Sequence, residues 1–306
     1  MRQEANLEWD FLAADAARVG AQLPAVFSRF YFDTAAGRLA ALRFSDDAAA
    51  DQPADFLLLH GAGLYAHSFD AVNLLLPGTR IAVDLPGHGA SAWRADADYQ
   101  PGTLAAQLRD PLLQFISERT TVVGHSLGGL TAALWAAAVP QRLREVVLVD
   151  ITPESVAAGA SAQVVEFITG RQRFESLSQM VDRAIEFGIG SDRAVLTRGV
   201  TLNSRYNPAG YYEWAHHFAQ LPGMRGVQSD PQQLATSCWE ALRKLQQRGV
   251  RLRLIAAEQG FVSAAEITQW RSQLPGSKVV TLPGPHNLHE AAPLQLARVL
   301  LETAGN

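Results

Sequence analysis

Cysteine is nearly absent: Cys238 stands alone in 306 residues. A single thiol excludes an internal disulfide, and without a C-x-x-C partner it excludes a cysteine zinc site or a dithiol redox centre. No P-loop sequence and no H-E-x-x-H occur, so no metal and no cofactor are expected. No basic cluster appears, and 26 Lys+Arg against 30 Asp+Glu leave a net charge of −4. That balance argues against nucleic acid as a partner, because a phosphate-tracking surface needs grouped cations. No segment offers the roughly 20 apolar residues of a membrane span. The first stretch, Met1 to Leu23, carries Glu4, Glu8, Asp10 and Asp15, where a secretory signal would have a basic start and an unbroken apolar run. The expectation is a cytoplasmic protein acting on a small molecule.

What is present is apolar and periodic. Hydrophobic residues make up 48% of the chain and charged residues 18%, which favours a large buried core. An N-terminal helix to about Leu23 precedes two strand-like runs, Ser28–Phe32 and Arg38–Phe44, around a turn at Asp33–Gly37. Four shorter runs follow at Phe56–Leu59, Arg80–Val83, Thr121–Val123 and Glu145–Val149. They lack polar alternation, as strands buried on both faces do, and such strands belong to parallel sheets covered by helices. The stretches between them read as helices: one from Thr103 through Glu118, interrupted by Pro111, and one over Leu127–Val139. The pattern predicts an α/β protein with a mostly parallel open sheet. Between Thr152 and Leu245 helical periodicity continues but no buried strand appears. Strand-like runs return at Arg251–Ala256 and Lys278–Leu282, and a last helix spans about Ala292 to Glu302. The predicted organisation is a core of residues 1–151 and 246–306 with an α-helical cap of residues 152–245 inserted.

One pentapeptide carries chemistry. Gly124-His125-Ser126-Leu127-Gly128 fits G-x-S-x-G, between a β-branched strand and a helix rich in small residues. The motif needs a sharp strand-to-helix turn that lifts the serine hydroxyl above the sheet, and its glycines avoid a Cβ clash there. A second glycine pattern, Gly87-x-Gly89-x-x-Ala92, follows a strand as a dinucleotide fingerprint would. It opens no long helix and ends toward a Pro101-Gly102 turn, so a nucleotide role is rejected.

Four segments together resemble the α/β-hydrolase superfamily: His60-Gly61-Ala62-Gly63, Asp84-Leu85-Pro86-Gly87-His88-Gly89-Ala90-Ser91, Gly124–Gly129 and Gly284-Pro285-His286. They span most of the core in the superfamily's order. The resemblance implies Ser126 as nucleophile and His286 as general base, in the loop after Lys278–Leu282 where an imidazole can overhang the carboxyl edge of the sheet. His289 is the alternative base, otherwise a rim or helix-start residue. His60 is expected to hydrogen-bond backbone near the early glycine loop, His88 to stabilise its own turn and His125 to pack beside the serine. The resemblance also implies an oxyanion hole made by the amides of Ala62 and Leu127. The triad acid is open between two strand ends, Asp150 and Glu258. Relatives that carry the acid after the later strand usually have Asp there, and here the turn reads Ala256-Ala257-Glu258-Gln259-Gly260. Asp150, in Val149-Asp150-Ile151-Thr152-Pro153, is favoured.

These residues imply a carboxylesterase-like serine hydrolase that cleaves an ester-like bond of a small, apolar substrate through an acyl-enzyme. A C–C bond hydrolase or thioesterase would use the same triad, and a non-catalytic ligand-binding protein on a hydrolase fold is the reading of a different class. Serine at position 126 argues against the dehalogenase and epoxide hydrolase branches, which need a carboxylate nucleophile. The insertion groups Arg205, Tyr206, Tyr211, Tyr212, Trp214, His216 and His217, some of which would wall an apolar pocket. Leu64, Trp93, Tyr206 and Trp214 are the candidates for substrate contact.

Overall fold

The computed structural model describes residues 7–47, 52–139, 143–157, 162–187, 189–190, 192–221 and 230–302. The start of the expected N-terminal helix lies outside the described residues, and the described part is the helix Leu12–Val19. Strands β1 (Val26–Thr34), β2 (Gly37–Ser45), β3 (Phe56–Leu59), β4 (Thr79–Val83), β5 (Thr120–His125) and β6 (Leu143–Val149) come first. A small separate hairpin, β7 (Ser204–Asn207) and β8 (Tyr211–Trp214), lies in the insertion, and β9 (Arg251–Gln259) and β10 (Lys278–Pro285) close the series. Eight strands form one sheet in the order β1-β2-β4-β3-β5-β6-β9-β10. β1 with β2 and β2 with β4 pair antiparallel, and the other pairs of this sheet are parallel.

The continuous apolar runs are explained by two cores. Successive side chains of a strand point to opposite faces. Leu57 and Leu59 of β3, with Val146 and Leu148 of β6, join one core. Phe56 and Leu58, with Val147 and Val149, join the other. The first face is covered by helices Pro101–Leu108, Leu127–Ala136 and Pro231–Gln247. The second is covered by Leu12–Val19 and the C-terminal helix Pro293–Leu301. Cys238 is buried in the first core, and burial pushes its thiol up to about 12, so it acts as a small apolar side chain.

Three local expectations are corrected. The helix expected from Thr103 begins at Pro101, whose fixed φ and missing amide suit a first helical turn. Thr103 Oγ1 bonds Asp98 instead, and the helix stops at Leu108, with Pro111 opening a separate 3-10 turn to Phe115. The insertion contains the hairpin β7–β8 besides helices. Its strands are only four residues long and half exposed, so they lack a buried strand's signature, and Gly210 at φ 94° closes the turn. Helix Pro231–Gln247, grouped with the insertion by the sequence, packs Cys238, Leu242 and Leu245 against the sheet core.

Helices Leu177–Glu186 and Arg193–Leu202 and the hairpin share a third small core of Phe174, Met180, Val181, Val200, Trp214 and Ala219. Polar pins dock this unit. Arg198 reaches out of its helix to Asp15, to Asp70 at 2.5 Å and to the His67 carbonyl at 3.2 Å. His67 then bridges Asp70 at 2.8 Å and Glu8 at 3.2 Å. Burial opposes a charge on the His67 ring, but the carboxylates on both nitrogens outweigh it and hold its pKa up to about 9.

A folded-state pKa raised above the ordinary value of 6.5 stabilises the fold fully below that value, and the contribution is lost as pH rises through about 9. We therefore expect the melting temperature of wild type to exceed that of His67→Gln most at about pH 6 and the gap to shrink by about pH 9.5. Thermal melts at both pH values check this. An unchanged gap would show that the ring's charge adds nothing.

Candidate active site

The site is assembled where β5, β6, β9 and β10 end. Ser126 leaves β5 at φ 51° and ψ −121°, a conformation that L residues rarely adopt and that is held only where the surroundings enforce it. The surroundings are tight. A Cβ on Gly124 would strike the backbone of Gly128 and Gly129, and one on Gly128 would strike the carbonyls of Leu59 and His60. A Cβ on Gly61 would come 2.7 Å from His125 Nδ1 and 3.1 Å from Ser126 Cβ. Helix Leu127–Ala136 therefore starts directly behind the serine and against the loop after β3.

Asp150 ends β6 with φ 49°, fully buried. Its amide donates to Ile255 O at 2.7 Å, so the ladder to β9 continues through the distorted residue. Its carboxylate accepts three hydrogen bonds: from Ala257 N at 2.9 Å, from Phe261 N at 2.7 Å and from His286 Nδ1 at 2.7 Å. A carboxylate can only accept from an imidazole N–H there, so Nδ1 carries the proton and Nε2 is left as the basic nitrogen. The His286 ring is clamped by Phe261, stacked at 3.6 Å between centroids, and by His125 at 4.4 Å. Glu258, the alternative acid, is exposed, and its neighbour Gln259 is its hydrogen-bond partner at 3.5 Å. The later turn thus meets Asp150 through its backbone amides.

The other histidines near the site are wired to be neutral. His60 Nε2 accepts from Leu85 N at 3.0 Å, His88 Nε2 from Gly63 N at 3.1 Å, and His216 Nδ1 from Ala219 N at 3.2 Å. A ring nitrogen that accepts an amide proton bears none of its own. Burial lowers the His60 pKa to about 4, His216 to about 3 and His289 to about 3, and takes His88 and His125 well below the ordinary value. His289 is fully buried between Phe69 and His125, not at a rim. Among the histidines lining the cavity, His125, His216 and His286, only His286 is bonded to a carboxylate.

That cavity has a volume of about 160 Å³. It is lined by Gly61, Ala62, Gly63 and Leu64 of the loop after β3, by Ser126 and His286, and by Phe167, Ile168, Phe187 and Ile189 of the insertion. The Gly63 amide is taken by His88, while Leu127 heads its helix, where a first-turn amide has no intrahelical acceptor. Ser126, His286, Asp150, Ala62, Leu127 and Leu64 are thus brought together. Trp93 and Tyr206 are not. Trp93 stacks on His217 at 4.3 Å beneath the Arg205 guanidinium at 4.4 Å, cementing the insertion to the core. Tyr206 is 58% exposed. Trp214 lines a smaller adjoining cavity. Phe167, Phe187 and Phe261 were not singled out by the sequence. Phe261 alone had a positional signal, as the aromatic directly after the turn that closes β9.

Among the described residues no group of His, Cys, Asp and Glu is placed to hold a metal ion, and no helix is long and apolar enough to cross a membrane.

The chain is 38% identical over 186 residues to the esterase Rv0045c of Mycobacterium tuberculosis, a stretch covering 59% of this chain and 61% of that protein. It is 37% identical over 140 residues to the pimeloyl-[acyl-carrier protein] methyl ester esterase of Chromobacterium violaceum, covering 44% of this chain and 50% of that protein. These sequence matches therefore span half to about three-fifths of the two relatives. In three dimensions the fold matches the crystal structure of the Rv0045c esterase with a TM-score of 0.79 at 27% identity, over 100% of both chains. It matches E-2-(acetamidomethylene)succinate hydrolase with a TM-score of 0.75 at 22% identity, over 92% of this chain and 100% of that one, a likeness of fold. The model of the alpha/beta hydrolase family matches residues 56–299, from β3 to the C-terminal helix and so across every strand end that builds the site, and the chain belongs to that family.

Proposed function

We propose that this protein is a serine esterase acting on small esters with an apolar acyl part, by way of an acyl-enzyme. The observation that carries the reading is the hydrogen bond of Asp150 to His286 Nδ1 at 2.7 Å, with His286 lining one cavity with Ser126. His286 Nε2 takes the proton of Ser126 as Oγ attacks the ester carbonyl. The charge that develops on the carbonyl oxygen is met by the amides of Ala62 and Leu127. The alkoxide leaves with the proton from His286, which then activates water to release the acid. The insertion's phenylalanine and isoleucine side chains wall the cavity on the side away from the sheet, limiting water access and favouring apolar groups. The ester specificity rests on the two esterase relatives, and the substrate's small size on the cavity of about 160 Å³.

Two measurements test this reading. Ser126→Ala should lower kcat/KM for p-nitrophenyl butanoate by at least about 10⁴-fold while the melting temperature stays within a few degrees, because the hydroxyl supplies the nucleophile and little packing. Substantial turnover by the pure variant would overturn the nucleophile. For the acid, Asp150→Asn should cost about 10³- to 10⁴-fold in kcat by favouring the wrong imidazole tautomer. It also weakens one acceptor for Ala257 N or Phe261 N, so some loss of thermal stability is expected as well. Glu258→Gln should stay within about twofold, as expected for an exposed substitution. A dead Glu258 variant beside an active Asp150 variant would reverse the assignment.

A further inference from the structure

Three side chains bond to or stack on His286 among the described residues, and each comes from a different strand end. Asp150, after β6, accepts from Nδ1 at 2.7 Å, and Phe261, past the end of β9, stacks on the ring. The third is His125, the last residue of β5 and the one directly before Ser126. Its Nε2 lies 3.1 Å from the backbone oxygen of His286. Asp150 and Phe261 fix the ring from β6 and β9. Of the three, only His125 ties the loop of His286 to the strand that carries Ser126.

A carbonyl oxygen can only accept, so Nε2 of His125 carries that ring's proton. The same oxygen accepts from Leu288 N at 3.0 Å, and a carbonyl's two lone pairs serve both donors. His125 is 1% exposed and enclosed on several sides. Its ring centroid is 4.4 Å from that of His286 and 4.5 Å from that of His289. Its Nδ1 lies against Gly61, where a Cβ would come within 2.7 Å. The ring thus rests on the glycine loop after β3 as well as on the loop of His286. Burial, with the His286 and His289 rings beside it, keeps its pKa well below the ordinary value. It is neutral near pH 7 and sets no positive charge beside an imidazolium forming on His286.

We propose that His125 is a positioning residue, whose Nε2–H on the His286 carbonyl sets the loop of the general base against the nucleophile that follows His125 in the chain. It exchanges no proton during the reaction. Asp150 decides which nitrogen of His286 is basic, and His125 decides where the loop holds it. Such a link matters because a misplacement of about 1 Å costs up to about 10²-fold in rate. The assignment rests on the esterase reading for the roles of Ser126 and His286.

The test compares His125→Phe, which keeps a ring and removes the N–H, with His125→Gln, whose side-chain amide presents an N–H at a similar reach. His125→Phe should lower kcat for p-nitrophenyl butanoate about tenfold with KM within about twofold, because the bond serves proton transfer and not substrate binding. His125→Gln should recover most of that loss, although it fills the space less well. A role in packing alone would rank Phe above Gln. Should His125→Phe fail to fold, the imidazole nitrogen resonances of the wild-type protein decide. A His125 ring with its proton on Nε2, unchanged between about pH 5 and about pH 8, supports the bond. A proton on Nδ1, or a ring that titrates in that range, overturns it. A wild-type kcat in His125→Phe, or a Gln variant no better than Phe, overturns the positioning role and leaves the esterase reading standing. Retained ester hydrolysis by Ser126→Ala overturns that reading instead.

Discussion

The structure around the site depends on one buried carboxylate. Asp150 ends β6, yet its oxygens are bound by Ala257 N at the end of β9, by Phe261 N in the loop beyond, and by His286 after β10. Three strand ends are tied by one side chain that is fully buried. An unpaired carboxylate there would cost far more than any single contact returns, so all three donors must be present for the group to be tolerated. The geometry leaves no slack. A Cβ on Gly260 would collide with the carboxylate of Asp150, so the turn carrying two of its donors can close only over a glycine. The same knot orients His286: Phe261, whose amide binds Asp150, also stacks its ring on the imidazole.

Two of the non-glycine residues with positive φ among the described residues are Ser126 and Asp150, at the ends of neighbouring strands β5 and β6. Neither conformation is favoured locally, and each is held by what lies beneath it. Ser126 is held by glycines that let Leu127–Ala136 approach the loop after β3. Asp150 is held by its amide on Ile255 O and its carboxylate on three donors. The histidines divide along the same line. His60, His88 and His216 spend a ring nitrogen accepting a backbone amide, which locks them neutral and makes them part of the scaffold. His286 instead donates from Nδ1 to a carboxylate, the arrangement on which the proposed role as proton carrier rests.

Much of the fold was legible because its signals are local and demanding. Unbroken apolar runs such as Phe56–Leu59 can be satisfied only between two cores, and the glycines of Gly124–Gly129 answer to backbone contacts that no Cβ survives. Asp150 was favoured over Glu258 because the later turn lacks an Asp, and nothing in the sequence announced that this turn would supply amides to it. The walls of the cavity were much less legible. Trp93 and Tyr206 are large aromatics near the right segments, but aromatics satisfy burial anywhere, and Trp93 does so between His217 and Arg205. Phe167 and Phe187 carry no motif, and their place depends on how the insertion docks. Helix Pro231–Gln247 looks like any amphipathic helix of the insertion, and only its packing on the sheet distinguishes it.

The insertion is docked by polar contacts made at its seams. At its seams, charges and amides meet partners on the core: Arg198 on Asp70, Asn203 Nδ2 on Gly63 O, and His217 N on Gly87 O. These contacts fall beside the glycine loop after β3 and the turn after β4, so the insertion is held against elements that line the cavity. The pairing is not complete: Trp214 Nε1, Asn203 Oδ1 and Asp70 Oδ1 are buried without a partner among the described residues, so the insertion's position is set by the bonds that are made together with its packing.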